Sequence, residues 1–142
     1  MTDEERAAKK RATSAAWQRD PANRERLLAW HKRRRKAKPH YAIFAACQKN
    51  ARRRGHECTL TLERVEELIA PMVCSVTGLP LSTEWDGPDK NPWAPSLDRI
   101  DNELGYIEGN VRLVCWAYNL AKGSWPDEVF DKLARSYLEL VR

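Results

Sequence analysis

Bulky apolar residues are sparse over the first 38 positions of this 142-residue chain and recur with clear periodicity only afterwards. The opening stretch is made of Ala, Arg, Lys and Glu, which favour helix by intrinsic propensity. Asp20-Pro21 reads as an N-cap followed by proline at the first helical position, and Lys38-Pro39 marks a second such boundary. The two prolines predict helical pieces over 3–18, 21–37 and 39–54. Ala16-Trp17 and Ala29-Trp30 are each followed by a polar, basic stretch, but two copies do not make a repeat architecture. The third piece has an apolar stripe of Tyr41, Ile43, Phe44 and Cys47 that should pack on the domain that follows. Arg52-Arg53-Arg54-Gly55 ends it with a basic last turn and a glycine stop. Thr61 is placed to cap a helix carrying Leu62, Val65, Leu68 and Ile69, which should end near Ala70-Pro71.

Beyond that point the period changes. Cys74 to Leu81 reads as a short strand and turn. Residues 82–95, with three prolines and one glycine, form a loop by composition. Strands are expected over Pro95–Asp101 and Val111–Cys115, separated by a polar turn with Gly105 and Gly109. A helix should follow over Trp116–Lys122, with Trp116, Leu120 and Ala117 inward and Gly123 as its stop. A last helix begins around Ser124-Trp125-Pro126-Asp127. Its stripe of Val129, Phe130, Leu133, Ala134, Tyr137, Leu138 and Val141 reads as core.

Charge divides the chain more sharply than hydropathy does. Residues 1–57 hold 17 Lys and Arg against 6 Asp and Glu, whereas residues 58–142 hold 8 against 14. The basic residues come in blocks, Arg33-Arg34-Arg35-Lys36 and Arg52-Arg53-Arg54, which points to a polyanion-binding segment. The acidic half has carboxylates to spare for chemistry. No stretch approaches the ~18 apolar residues of a membrane span, and the charged N-terminus lacks the apolar core of a secretory signal. A soluble protein of the cytoplasm is therefore expected, with no membrane partner. Cys47, Cys58, Cys74 and Cys115 form no C-x-x-C pair. Four reduced thiols are the simplest reading, and a zinc ion shared by Cys74 and Cys115 is the weaker alternative.

Four clusters stand in order on the strand–loop–strand–helix segment: Pro95-Ser96-Leu97-Asp98-Arg99-Ile100-Asp101, Gly105-Tyr106, Gly109-Asn110-Val111 and Asn119-x-x-Lys122. This string resembles the active-site block of phage-type HNH (ββα-metal) endonucleases, and the Leu60-Thr61-Leu62 helix start and Cys74–Gly78 turn resemble the segment that often precedes it. The likeness covers roughly residues 58–125. It implies an α+β fold: a ββα-metal core at about 72–125, flanked by helices, behind a basic helical N-terminal arm. The expected division is a DNA-binding arm over 1–57 and a nuclease domain over 58–142. The implied activity is metal-dependent hydrolysis of DNA phosphodiester bonds by nicking or double-strand cleavage, in bacterial cytoplasm if the chain is phage-encoded. Asp98 and Asn119 would be the carboxylate and amide ligands of one divalent ion, Mg²⁺ or Mn²⁺, which such an oxygen set suits. Asn110 would brace the loop between the strands, and Lys122 would reach a phosphate. Arg33, Arg34, Arg35, Lys36, Arg52, Arg53, Arg54 and Arg112 are the expected DNA contacts.

One position departs from the family. The residue after the metal-binding acid is usually a histidine that acts as general base, and here it is Arg99, which stays protonated and cannot take up that role. Arg99 would clamp the phosphate, with Asp101 or Tyr106, or His40 or His56 from outside the motif, near the attacking water. Alternatively the site binds without cutting, or Asp98 and Asp101 hold the metal together. The competing function is thus a non-catalytic DNA-binding protein on a degenerate HNH scaffold. Trp85 and Trp93, in the proline-rich loop, divide evenly between capping the fold and touching DNA.

Overall fold

The computed structural model describes residues 1–142 except for the side chain of Arg35, so the DNA contact expected of that arginine lies outside the described residues. Six helices and two strands follow in the order α1 (Asp3–Arg19), α2 (Pro21–Ala37), α3 (Pro39–Arg54), α4 (Leu62–Ile69), β1 (Pro95–Arg99), β2 (Val111–Cys115), α5 (Trp116–Lys122) and α6 (Asp127–Leu140). They form two compact units, Met1–Ala37 and Lys38–Arg142.

The first unit is the helix pair α1 and α2. Thr2 and Glu5 close a capping box at the start of α1, which satisfies two N–H groups that helix geometry leaves unpaired. Asp20 Oδ1 accepts the backbone N–H of Ala22 at the entry to α2. None of the described side chains of this unit is buried, as its scarcity of bulky apolar residues requires.

The second unit holds the core. Helix α3 belongs to it, packed against α4 and β1 through the buried Cys47 and Ala51. Thr61 Oγ1 accepts the Arg64 N–H at 3.2 Å to cap α4, and Val65 and Ile69 turn inward from that helix. Cys74–Leu81 is a tight turn held by the Cys74–Leu79 and Leu81–Met72 backbone bonds, with one bridge, Val73 to Pro80, where a strand was expected. Strands β1 and β2 pair antiparallel with Leu97 opposite Leu113 and Asp98 opposite Arg112. Helix α5 follows β2 with no loop, because Cys115 is both the last strand residue and the N-cap, its Sγ accepting the Tyr118 N–H. The result is mixed helix with a small two-stranded antiparallel sheet.

Three further expectations are corrected. The first strand ends at Arg99, because Ile100 and Asp101 already enter the turn that Asn110 holds. The inner face of α5 is Tyr118 and Lys122, not Leu120, which is exposed. The stripe on α6 is not core: no residue of this helix is buried, and Phe130 alone reaches inward to an edge-to-face contact with Tyr118 at 4.9 Å. A periodic pattern says that one face is apolar but not that anything covers it. With Leu133 64% exposed, Leu133→Ser is expected to change the unfolding free energy by no more than about 0.5 kcal/mol. Urea titration checks this, and a cost several times larger would show the stripe to be covered.

Candidate active site

The register of the sheet builds the site. Directly opposed residues on an antiparallel pair share a face, so Asp98 meets Arg112, whose Nε and Nη2 lie 3.0 and 2.8 Å from Asp98 Oδ2. From α5, Lys122 Nζ reaches Asp98 Oδ1 at 3.0 Å and the Arg99 carbonyl at 2.8 Å. Asp127, the first residue of α6, accepts from Arg112 Nη2 and, at 3.1 Å, from the Tyr118 hydroxyl. Two carboxylates and two cations thus form one formally neutral cluster. Its inner pair is dry, with the Asp98 side chain 3% and that of Lys122 0% exposed, while Arg112 and Asp127 open toward solvent. Buried ions persist only when paired this way, since each would otherwise cost several kcal/mol of lost hydration.

The electrostatics follow from the same contacts. The Arg112 guanidinium holds the Asp127 carboxyl below its ordinary value. Burial pushes the Tyr118 phenol up to about 12. Burial pulls the Arg112 guanidinium down, but the Asp127 and Asp98 carboxylates more than offset this and raise it. A depressed folded-state value gives stability that is complete above the unfolded value and lost as pH falls through the folded one. Asp127→Asn is therefore expected to flatten the fall of Tm below about pH 4 and to leave its pH dependence near neutrality unchanged. An unaltered acid limb in thermal melts would contradict this.

The other expected site residues lie around the cluster. Asn119, three positions before Lys122 and on the same helix face, donates through Nδ2 to Ser96 Oγ at 2.8 Å and to the Leu97 carbonyl at 3.2 Å. Arg99 is buried, and its Nη1 binds the carbonyls of Asn102 and Leu104 at 2.9 and 2.8 Å. Its guanidinium is thus turned into the loop that follows β1. Asn110 ties down that loop, accepting from the Asp101 N–H and donating to the carbonyls of Asp101 and Gly105. Asp101 Oδ1 accepts the Glu103 N–H within the turn. Tyr106 is buried beside the Arg99 guanidinium, and burial raises its phenol, so it keeps its proton near neutrality. His40 faces Glu66, with Nδ1 at 3.8 Å, and His56 closes the end of α3 through its backbone. Arg33, Arg34 and Lys36 are exposed on α2, and Arg52, Arg53 and Arg54 are exposed at the end of α3. Trp85 spends its indole N–H on the Asp89 carbonyl and so closes its own loop.

Asp127, Tyr118 and Ser96 were not anticipated. Tyr118 and Lys122 stand four apart on α5, a spacing that places them on one face. Asp127 showed only as an acid at a helix start, and nothing local to it points to Arg112.

A divalent ion held by Asp98 and Asn119 needs oxygens from both turned to one point. Both Asp98 oxygens are covered by Lys122 and Arg112, and Asn119 turns its amide nitrogen to the strand. Among the described residues, no group of three or more His, Cys, Asp or Glu side chains gathers to hold a metal. The arrangement therefore does not fit Mg²⁺ or Mn²⁺ unless Lys122 or Arg112 is displaced. Cys74 and Cys115 are neighbours but, among the described residues, gather no such third donor for zinc.

No protein-family model matches the chain. Over 86 residues it is 30% identical to an uncharacterized 29.0 kDa protein of Enterobacteria phage T4 from the dda-modA intergenic region. That match takes in 60% of this chain and 33% of the relative, so the chain spans about a third of that relative's length. Among solved structures, the rare-cutting HNH restriction endonuclease PacI aligns with a TM-score of 0.53 over 71% of this chain and 78% of its own, at 23% identity. The likeness is one of fold: the chain shares a mixed α+β architecture with that structure. No helix among the described residues is long and apolar enough to cross a membrane.

Proposed function

We propose that the chain is an endonuclease of the HNH type that hydrolyses phosphodiester bonds of DNA. The observation that carries this reading is that β2, paired with β1, runs straight into α5, so that Asn119 and Lys122 dock along the strand bearing Asp98. A ββα-metal core would have this connectivity, and the likeness of fold to PacI supports the reading. Arg112, the cation of the cluster that reaches solvent, would take a phosphate oxygen through Nη1, its Nε and Nη2 being held by Asp98 and Asp127. The basic block of α2 and that at the end of α3 would each hold nucleic-acid backbone, so binding should weaken steeply with salt. In this reading residues 1–57 serve as the DNA-binding arm, although α3 packs within the second unit, and 58–142 as the nuclease domain. Asn110 and Arg99 keep the turn behind Asp98 rigid. The relative in phage T4 supports a phage origin and work in the host cytoplasm.

The closed cluster favours a second reading, a DNA-binding protein that does not cut. Asp98 is already neutralised by protein cations, and Arg99 is locked into a loop. Nicking of supercoiled plasmid with Mg²⁺ or Mn²⁺ separates the two. Asp98→Ala would strand the Lys122 ammonium and risk unfolding, so Asp98→Asn and the half-buried Asn119→Ala are the better variants, each checked for native circular dichroism. Metal-dependent nicking by the wild type that both variants lose supports the enzyme. DNA binding without nicking under either ion, or nicking that both variants retain, overturns it.

A further inference from the structure

We infer that the face of α1 carrying Arg6, Lys9, Lys10, Thr13, Ser14 and Trp17 is a track for single-stranded nucleic acid, with the Trp17 indole as its stacking platform. This deepens the nucleic-acid part of the proposed function and rests on it. Together with Met1 these six residues line a shallow, open hollow of about 530 Å³. They recur at spacings of three and four along one helix, so cations, hydroxyls and indole share one side. From Arg6 to Arg19 there are five cations and no acid, and the acids of the first turn precede this stretch.

Among the described residues no hydrogen bond, ion pair or ring contact engages the Trp17 indole, although its carbonyl accepts from Asn23 Nδ2. No residue of α1 is buried, yet this large apolar ring stands 47% exposed. A counterpart on α2 shows the difference. Trp30 is 46% exposed, but the Arg34 guanidinium lies over its ring at 5.2 Å. Among the described residues no ring or cation covers Trp17 in the same way. An open indole beside a row of cations can hold an unpaired base by stacking while the ammonium groups take the flanking phosphates. A duplex keeps its base faces stacked on each other and can meet this surface only through its backbone. The α1 face should therefore distinguish a single strand from a duplex, as a nuclease acting at gaps, flaps or junctions requires.

The test is fluorescence anisotropy of the full chain with a labelled oligothymidylate and with a duplex of equal length, in EDTA so that cleavage plays no part. Trp17→Ala is expected to weaken single-strand binding by about tenfold and duplex binding by less than about twofold. Trp17→Phe should retain most of the single-strand affinity, and Trp30→Ala should have the smaller effect. An equal loss on both ligands, or no loss on the single strand, overturns the inference while leaving the nuclease reading intact. Failure of the wild type to bind either ligand overturns the nucleic-acid reading itself, and the track with it.

Discussion

Lys122→Met is expected to destabilise the second unit by about 3–5 kcal/mol, the cost of breaking a buried ion pair from one side. Methionine keeps much of the lysine stem, so the packing of α5 on β1 changes little. What disappears is the ammonium that donates to Asp98 Oδ1 and to the Arg99 carbonyl. Asp98 is then left with Arg112 alone, in a place where water cannot take over the missing bond. For a unit of this size each kcal/mol shifts Tm by about 4–8 °C, so the melting point should fall by more than about 12 °C. Pairing the change with Asp98→Asn removes the stranded charge and should restore part of the loss. A coupling energy of about 0.5–3 kcal/mol in the double-mutant cycle is the expected signature. A cost for Lys122→Met below about 1 kcal/mol in guanidinium titration would mean that the ammonium is solvated and the cluster open.

Gly105→Ala should be comparably harmful for a different reason. A methyl group at that position would run into the backbone carbonyl of Glu57. The same carbonyl accepts the Tyr106 N–H at 2.9 Å, and the Tyr106 carbonyl accepts the Thr59 N–H at 3.1 Å. This short parallel pairing ties the loop before β2 to the chain entering α4. Neither side is a flexible side-chain end that could swing away, so the two backbones must separate and lose both bonds. A cost of about 3 kcal/mol or more is expected, at the upper end for overpacking by a single methyl group. Because Asn110 also donates to the Gly105 carbonyl, the displacement should loosen the turn behind Asp98. Thermal unfolding measures the cost, and a change under about 1 kcal/mol would show that the two segments do not approach so closely.

The helices were legible in the sequence because their boundaries are marked by local chemistry. Asp20-Pro21, Lys38-Pro39, Thr61 and Gly123 each act within one turn of chain, and the observed limits of α2, α3 and α5 are those the punctuation predicts. The strand pair and the helix after it were legible for the same reason. So was the set of polar residues worth watching, since Asp98, Asn110, Asn119 and Lys122 stand out by their order along the segment.

Their partners were not legible, because partnership depends on which distant segments meet. Asp98 lies opposite Arg112 only once the register is known, and Asp127 joins them only because α6 starts beside β2. By itself the sequence determined the helices and the pairing strands, the split between a basic and an acidic half, and the order of the polar motif. Only the tertiary structure decided that Lys122 is buried as an internal counter-ion, that Arg99 clamps a loop, and that the stripe of α6 lies open. Helix ends and strand alternation are settled by interactions spanning a few residues. The burial of a charge is settled by everything that packs around it, which no local stretch encodes.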